Sequence, residues 1–177
     1  MSGTIETVEV AGGVRLAVAD AGSGPAVVLL HGWPVTSLHW WLAVPALTAA
    51  GYRAICADLR GQGASEGPGT FAKEELARDV VALAARFGLA RFALVGHDWG
   101  GTVGYLVAAD HRDRVAALVV EEELLPGSGV PIPEPGRSRY PDWHGPFQTP
   151  GAGHYPAEQR ADLVNPALVA FLNEHRW

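Results

Sequence analysis

The stretch Gly96-His97-Asp98-Trp99-Gly100-Gly101, residues 96–101, follows the apolar run Phe92-Ala93-Leu94-Val95 and precedes a second apolar stretch of helical character. Its pattern is Gly-x-nucleophile-x-Gly between a strand and a helix. Such a turn lifts the central side chain above a sheet, and the small residues around it let strand and helix approach closely. The central residue here is an aspartate where a serine is the usual occupant. The following helix start presents unpaired N–H groups and a partial positive charge, which suits an anion. Asp98 as a plain N-cap is the alternative reading.

Outward from this turn, the chain alternates between two periodicities. Residues 7–11 and 14–19 are short strand-like runs split by Gly12-Gly13, as in a hairpin. Residues 27–30, 52–57, 92–95 and 115–120 are apolar strand-like runs, whereas 38–50, 71–88, 101–110 and 157–175 have helical spacing. Ser37 is the expected N-cap of the first helix, and Gly51 and Gly88 are expected to end the first two. Regular alternation predicts a single α/β domain over residues 1–177, with a mostly parallel sheet flanked by helices. Such sheets bind ligands beyond the carboxyl ends of their strands. The strand exits are therefore the places to search: His31-Gly32-Trp33-Pro34, Asp58 to Gly63, the Asp98 turn, and Glu121-Glu122-Glu123.

Composition narrows the function classes. The 177 residues are 48% hydrophobic and 18% charged, enough for one domain with a real core. Net charge is -6 and the basic residues are scattered, which argues against a nucleic-acid or anionic membrane partner. The N-terminal residues lack a basic-then-apolar leader pattern and no apolar run is long enough to span a bilayer, so the expectation is a soluble, cytoplasmic protein. Cys56, the only cysteine, reads as a buried structural thiol. Gly61-x-Gly63 lacks a third glycine at dinucleotide spacing and reads as a turn. The histidines do not form a metal pair, so neither metal nor other cofactor is expected.

Four motifs in order, HGWP (31–34), DLRGQGAS (58–65), GHDWGG (96–101) and GAGHYPAEQ (151–159), resemble the epoxide hydrolase and haloalkane dehalogenase branch of the α/β-hydrolase superfamily. The resemblance covers residues 6–143 and the chain from 150 onward. Physics explains the aspartate in this branch. A carboxylate, with a reference pKa of about 3.9, is already ionised at neutral pH and attacks without a base. Attack on an sp3 carbon bearing a strained oxygen or a halide gives a stable alkyl ester, which water must then cleave with a general base and oxyanion donors. The resemblance implies backbone donors at Trp33 and Trp99 and a cis Trp33-Pro34 peptide. The GAGHYPAEQ motif offers His154 as the candidate base; His31 and His97 belong to turn motifs, and His39, His111 and His175 to helical segments. Glu121, at the exit of residues 115–120, is the candidate orienting acid, with Glu122 and Glu123 as alternatives at a shifted register.

One interval departs from the pattern. Only 27 residues, 124–150, separate Glu123 from the loop carrying His154, whereas a βαβ unit takes roughly 30 or more. The interval is rich in Gly and Pro and reads as an irregular connection in place of the cap domain and adjoining core strands. The core is thus expected to be shortened after its sixth strand and capless, with residues 115–120 at a sheet edge, where a homodimer could form. Tyr140 and Tyr155 are the nearby substitutes for cap tyrosines and, with Trp33 and Trp99, the candidate substrate contacts. Three readings stay open: an epoxide hydrolase-like enzyme acting on small apolar epoxides, a haloalkane dehalogenase-like enzyme, and a non-catalytic core that binds a small ligand or a partner chain.

Overall fold

A computed structural model describes residues 5–123 and 153–177. Tyr140 and the 124–150 connection lie outside the described residues. Six strands, β1 (Ile5–Glu9), β2 (Arg15–Gly22), β3 (Ala26–Leu30), β4 (Arg53–Ala57), β5 (Phe92–His97) and β6 (Val115–Glu121), form one mixed sheet in the order β1-β2-β4-β3-β5-β6. The β1–β2 and β2–β4 pairs are antiparallel, and the β4–β3, β3–β5 and β5–β6 pairs are parallel. All parallel strands therefore point the same way, and their exits lie together at one end of the sheet.

The helices are α1 (Ala43–Ala49), α2 (Lys73–Arg86), α3 (Trp99–Asp110), α4 (Pro156–Gln159) and α5 (Ala161–Glu174). The helix expected over residues 38–50 is in fact two pieces. A 3-10 turn, Ser37–Trp40, is capped by Thr36 rather than Ser37, and α1 then starts at Ala43. Pro45 accounts for the break: it has no N–H for a helical ladder, so it is accommodated only in the first turn of a new helix. The run from 157 to 175 is likewise interrupted, at Arg160, whose φ of -135° leaves the helical region.

β3 lies in the middle of the sheet, and all five of its residues are buried, as expected of a strand covered on both faces. Its side chains divide between two cores. Val28 and Leu30 pack with Leu76, Val80 and Leu83 of α2 and Val103 and Val107 of α3. Val27 and Leu29 pack with Trp40, with Leu47 of α1 and with Leu168 and Leu172 of α5. The α3 and α5 layers thus hold the sheet from opposite sides, and α3 begins at the exit of β5. Leu29→Ala, at a site with 0% exposure, is expected to destabilise the fold by about 2–5 kcal/mol in urea titration. A loss well under about 1 kcal/mol would contradict this division of the core.

Candidate active site

Asp98 follows β5 directly and stands at the N-terminus of α3 with φ 49° and ψ -120°. A non-glycine residue at positive φ is strained by roughly 1–3 kcal/mol, and the surroundings hold it there. Its N–H donates to the Glu121 carbonyl at 3.0 Å, and its own carbonyl accepts from Gly101 N–H at 2.8 Å. Close approach is what the neighbouring glycines provide. A Cβ on Gly100 would run into the carbonyl of Leu30, and one on Gly32 into the Asp98 side chain.

The Asp98 carboxylate makes no capping bond to α3. Its Oδ1 accepts the Trp33 N–H at 2.9 Å, so an exit residue of β3 aims a backbone donor at the exit of β5. The Trp33-Pro34 peptide is cis. Trp99 occupies the first position of α3, whose opening N–H groups have no partner in the helix's own ladder. The rings of Trp33 and Trp99 stack with centroids 5.8 Å apart.

On the other side of the carboxylate, His154 places Nε2 3.7 Å from Asp98 Oδ2. Its main chain is anchored by His97, whose Nε2 lies 2.6 Å from the His154 carbonyl. A carbonyl only accepts, so His97 carries its proton on Nε2. The His97 ring packs against that of His39 at 4.5 Å. His39 in turn bonds Glu158 of α4 through Nδ1 at 2.9 Å. Burial pushes both His39 and His97 down to about 4, and each one's histidine neighbours add to the effect. Both rings are therefore neutral near pH 7, and the His39–Glu158 contact is a hydrogen bond to a neutral ring. Tyr155 packs its ring against His154 at 5.1 Å and His97 at 5.4 Å.

Glu121 ends β6 opposite His97 in the register. Its Oε2 is buried without a hydrogen-bond partner among the described residues, and no bond or ion pair there joins it to His154. Burial, reinforced by the Glu122 charge, pushes its carboxyl up to about 8. Glu122 turns away from the strand at φ 52°, and Glu123 lies against the start of α3, beside Gly101.

The other strand exits are structural. His31 is fully buried, its Nε2 accepting the Leu59 N–H at 2.9 Å and its Nδ1 facing the Gly32 carbonyl. Asp58 accepts the N–H groups of Ser37 and Ala64, and Gly63, at φ 56°, turns against its carboxylate. Arg60 forks onto Asp79 at 2.8 and 2.6 Å. Cys56 is buried, which pushes its thiol up to about 12. Among the described residues no group of three or more His, Cys, Asp or Glu side chains could hold a metal ion.

Sequence reasoning missed two features of the site. One is the His39–Glu158 contact, which joins residues 119 positions apart and leaves no local signal. The other is Lys73, the first residue of α2, whose Nζ lies 2.9 Å over the Trp99 ring centroid. It is the only lysine in the chain, and that singularity was open to notice.

The sequence profile of the alpha/beta hydrolase fold family matches residues 25–145, and the chain belongs to that family. The chain is 42% identical over 127 residues to a soluble epoxide hydrolase of Corynebacterium sp. (strain C12), covering 68% of this chain and 44% of that protein. It is 43% identical over 115 residues to a fluoroacetate dehalogenase of Burkholderia sp, covering 62% of this chain and 38% of that one. Among solved structures, an epoxide hydrolase from Vigna radiata matches with a TM-score of 0.63 at 38% identity, covering 66% of this chain and 37% of that chain. The chain spans less than half the length of these relatives.

Glu121 offers a test of the site's electrostatics through pH. A carboxyl raised from 4.5 to about 8 holds its proton in the fold while the unfolded chain has lost it, so this group's contribution falls as pH rises from 4.5 through 8. Glu121→Gln removes that loss. Its stability relative to the parent is expected to grow between about pH 5 and about pH 9 in urea titrations. A difference that does not change with pH would show that Glu121 is ionised in the fold.

Proposed function

We propose that the chain is an epoxide hydrolase-like hydrolase that opens small apolar epoxides to diols through an alkyl ester on Asp98. The observation that carries the reading is the Asp98 carboxylate, held at positive φ with one oxygen on the Trp33 N–H at 2.9 Å and the other 3.7 Å from His154 Nε2. In this reading Asp98 attacks the less hindered ring carbon and the strained C–O bond breaks. His154 then takes a proton from water, which attacks the ester carbonyl carbon. The oxyanion formed there is held by the N–H groups of Trp33 and Trp99, each worth roughly a hundredfold or more in rate. Hydrolysis of the ester restores the carboxylate and releases the diol.

Glu121 is proposed as the orienting acid. A His154 imidazolium beside it would favour the ionised form of Glu121, whose proton then passes to solvent, leaving a carboxylate to pair with the ring. Trp33, Trp99 and Tyr155 supply the apolar walls, and a separate open cavity of about 760 Å³, bounded by Pro34, Val35, Leu38 and Trp41 together with the polar His39 and Glu158, lies beyond the Trp33-Pro34 turn. No helix among the described residues is long and apolar enough to cross a membrane, and a cytoplasmic location remains part of the proposal. So does a homodimer, for which β6, at one end of the strand order, offers an edge.

A dehalogenase-like reaction is the second reading, supported by the likeness to the fluoroacetate dehalogenase. It would use Asp98 in the same way and expel halide. A third, binding without turnover, is supported by the 27-residue interval 124–150, which stands where the resemblance implies a cap domain and further core strands.

The test is diol released per mole of protein from an excess of small terminal epoxides. Many turnovers are expected, falling by at least about a thousandfold in Asp98→Ala. Diol at one equivalent or less would favour the binding reading, and acid release from alkyl halides alone would favour the dehalogenase.

A further inference from the structure

A ring opening of this kind leaves an alkoxide, a strongly basic group that departs slowly unless something protonates it. The placement of Lys73 answers this need. Its Nζ sits 2.9 Å over the ring of Trp99, the residue after the nucleophile. That ring stacks at 5.8 Å on the ring of Trp33, whose N–H holds Asp98 Oδ1. The only lysine of the chain is thus carried on the aromatic pair that flanks the reacting carboxylate.

Helix stability does not explain it. Lys73 is the first residue of α2, where the macrodipole favours acids such as the neighbouring Glu74 and Glu75 and disfavours a cation. Burial lowers its proton affinity, while the charges of Asp98 and Glu123 partly restore it. The ammonium is accordingly close enough to Asp98 to feel its charge and is a better acid than a free lysine.

We propose that Lys73 is the acid of the ring-opening step, protonating the epoxide oxygen as Asp98 attacks. This rests on the reading of Asp98 as nucleophile. One Asp98 oxygen forms a bond to the ring carbon, and the C–O bond breaks with its electron pair going to the ring oxygen. A proton passes from Lys73 Nζ to that oxygen, giving a hydroxyalkyl ester and a neutral amine, which solvent reprotonates. Water then cleaves the ester, so the sum is epoxide plus water giving diol.

The experiment follows the mass of the intact protein mixed with excess styrene oxide, in a His154→Gln background that lets the ester accumulate, with peptide mapping to Asp98. Lys73→Met in that background is expected to slow adduct formation by about a hundredfold. Lys73→Arg keeps the charge and the stacking on Trp99 but does not give up its proton, so it is expected to be slow as well. Circular dichroism and urea midpoints establish that the compared variants are folded. An Arg variant as fast as the parent would overturn the proposal by showing that only charge or packing is needed. Equal rates in the Met variant would also overturn it, leaving Asp98 as nucleophile. No adduct on Asp98 in the His154→Gln protein would remove both readings together.

Discussion

The hydrogen bond from the Trp33 N–H to Asp98 Oδ1, at 2.9 Å, joins the exits of two adjacent parallel strands, and the rest of the site is arranged around it. It exists only because β3 and the β5–α3 turn come closer than side chains would allow. Gly32 and Gly100 are the residues that permit this, one against Asp98 and the other against the Leu30 carbonyl. The approach also fixes Asp98 at positive φ, so its strain is maintained by the packing of a strand that is buried along its whole length. Stability of the central sheet and aim of the carboxylate are therefore one property of the structure.

The second half of the site is held by different forces. His154 reaches Asp98 from a segment that belongs to no strand, and two neutral histidines secure it. His97 bonds the His154 carbonyl from the end of β5, and His39 bonds Glu158 from the 3-10 turn after β3. Neutrality matters here, because a charged, buried His97 beside His39 and His154 would be repelled by both when they too carry protons. The carboxylate is thus placed by backbone geometry and the imidazole by side-chain hydrogen bonding. A small disturbance of the segment around α4 would move the imidazole and leave the carboxylate in place.

The alternating pattern of the chain made the layered architecture legible, because β3, β5 and β6 are apolar runs with polar exits, the first two of them also flanked by glycines. The Asp98 turn, Trp33 and His154 were legible for a related reason: each sits in a short local motif whose geometry is set by its own glycines and proline. Pro45 was visible too, yet the periodicity of residues 38–50 concealed the break it causes. What local pattern cannot carry is contact between distant residues. His39 meeting Glu158, Lys73 lying on Trp99, and Glu121 ending buried without meeting His154 all depend on how elements pack. Glu121 also illustrates a limit of motif reasoning, since a carboxyl at the right strand exit can be pushed toward its protonated form by the burial that places it there.

In the proposed reaction the oxygen delivered to the substrate comes from Asp98 and not directly from water. A single turnover with protein in excess over epoxide, run in oxygen-18 water, decides it most directly. The expected result is a diol without the heavy label and a peptide containing Asp98 that has gained one heavy oxygen. Heavy oxygen in the diol of that first turnover, with an unlabelled Asp98 peptide, would contradict it, because water would then have attacked the ring carbon itself.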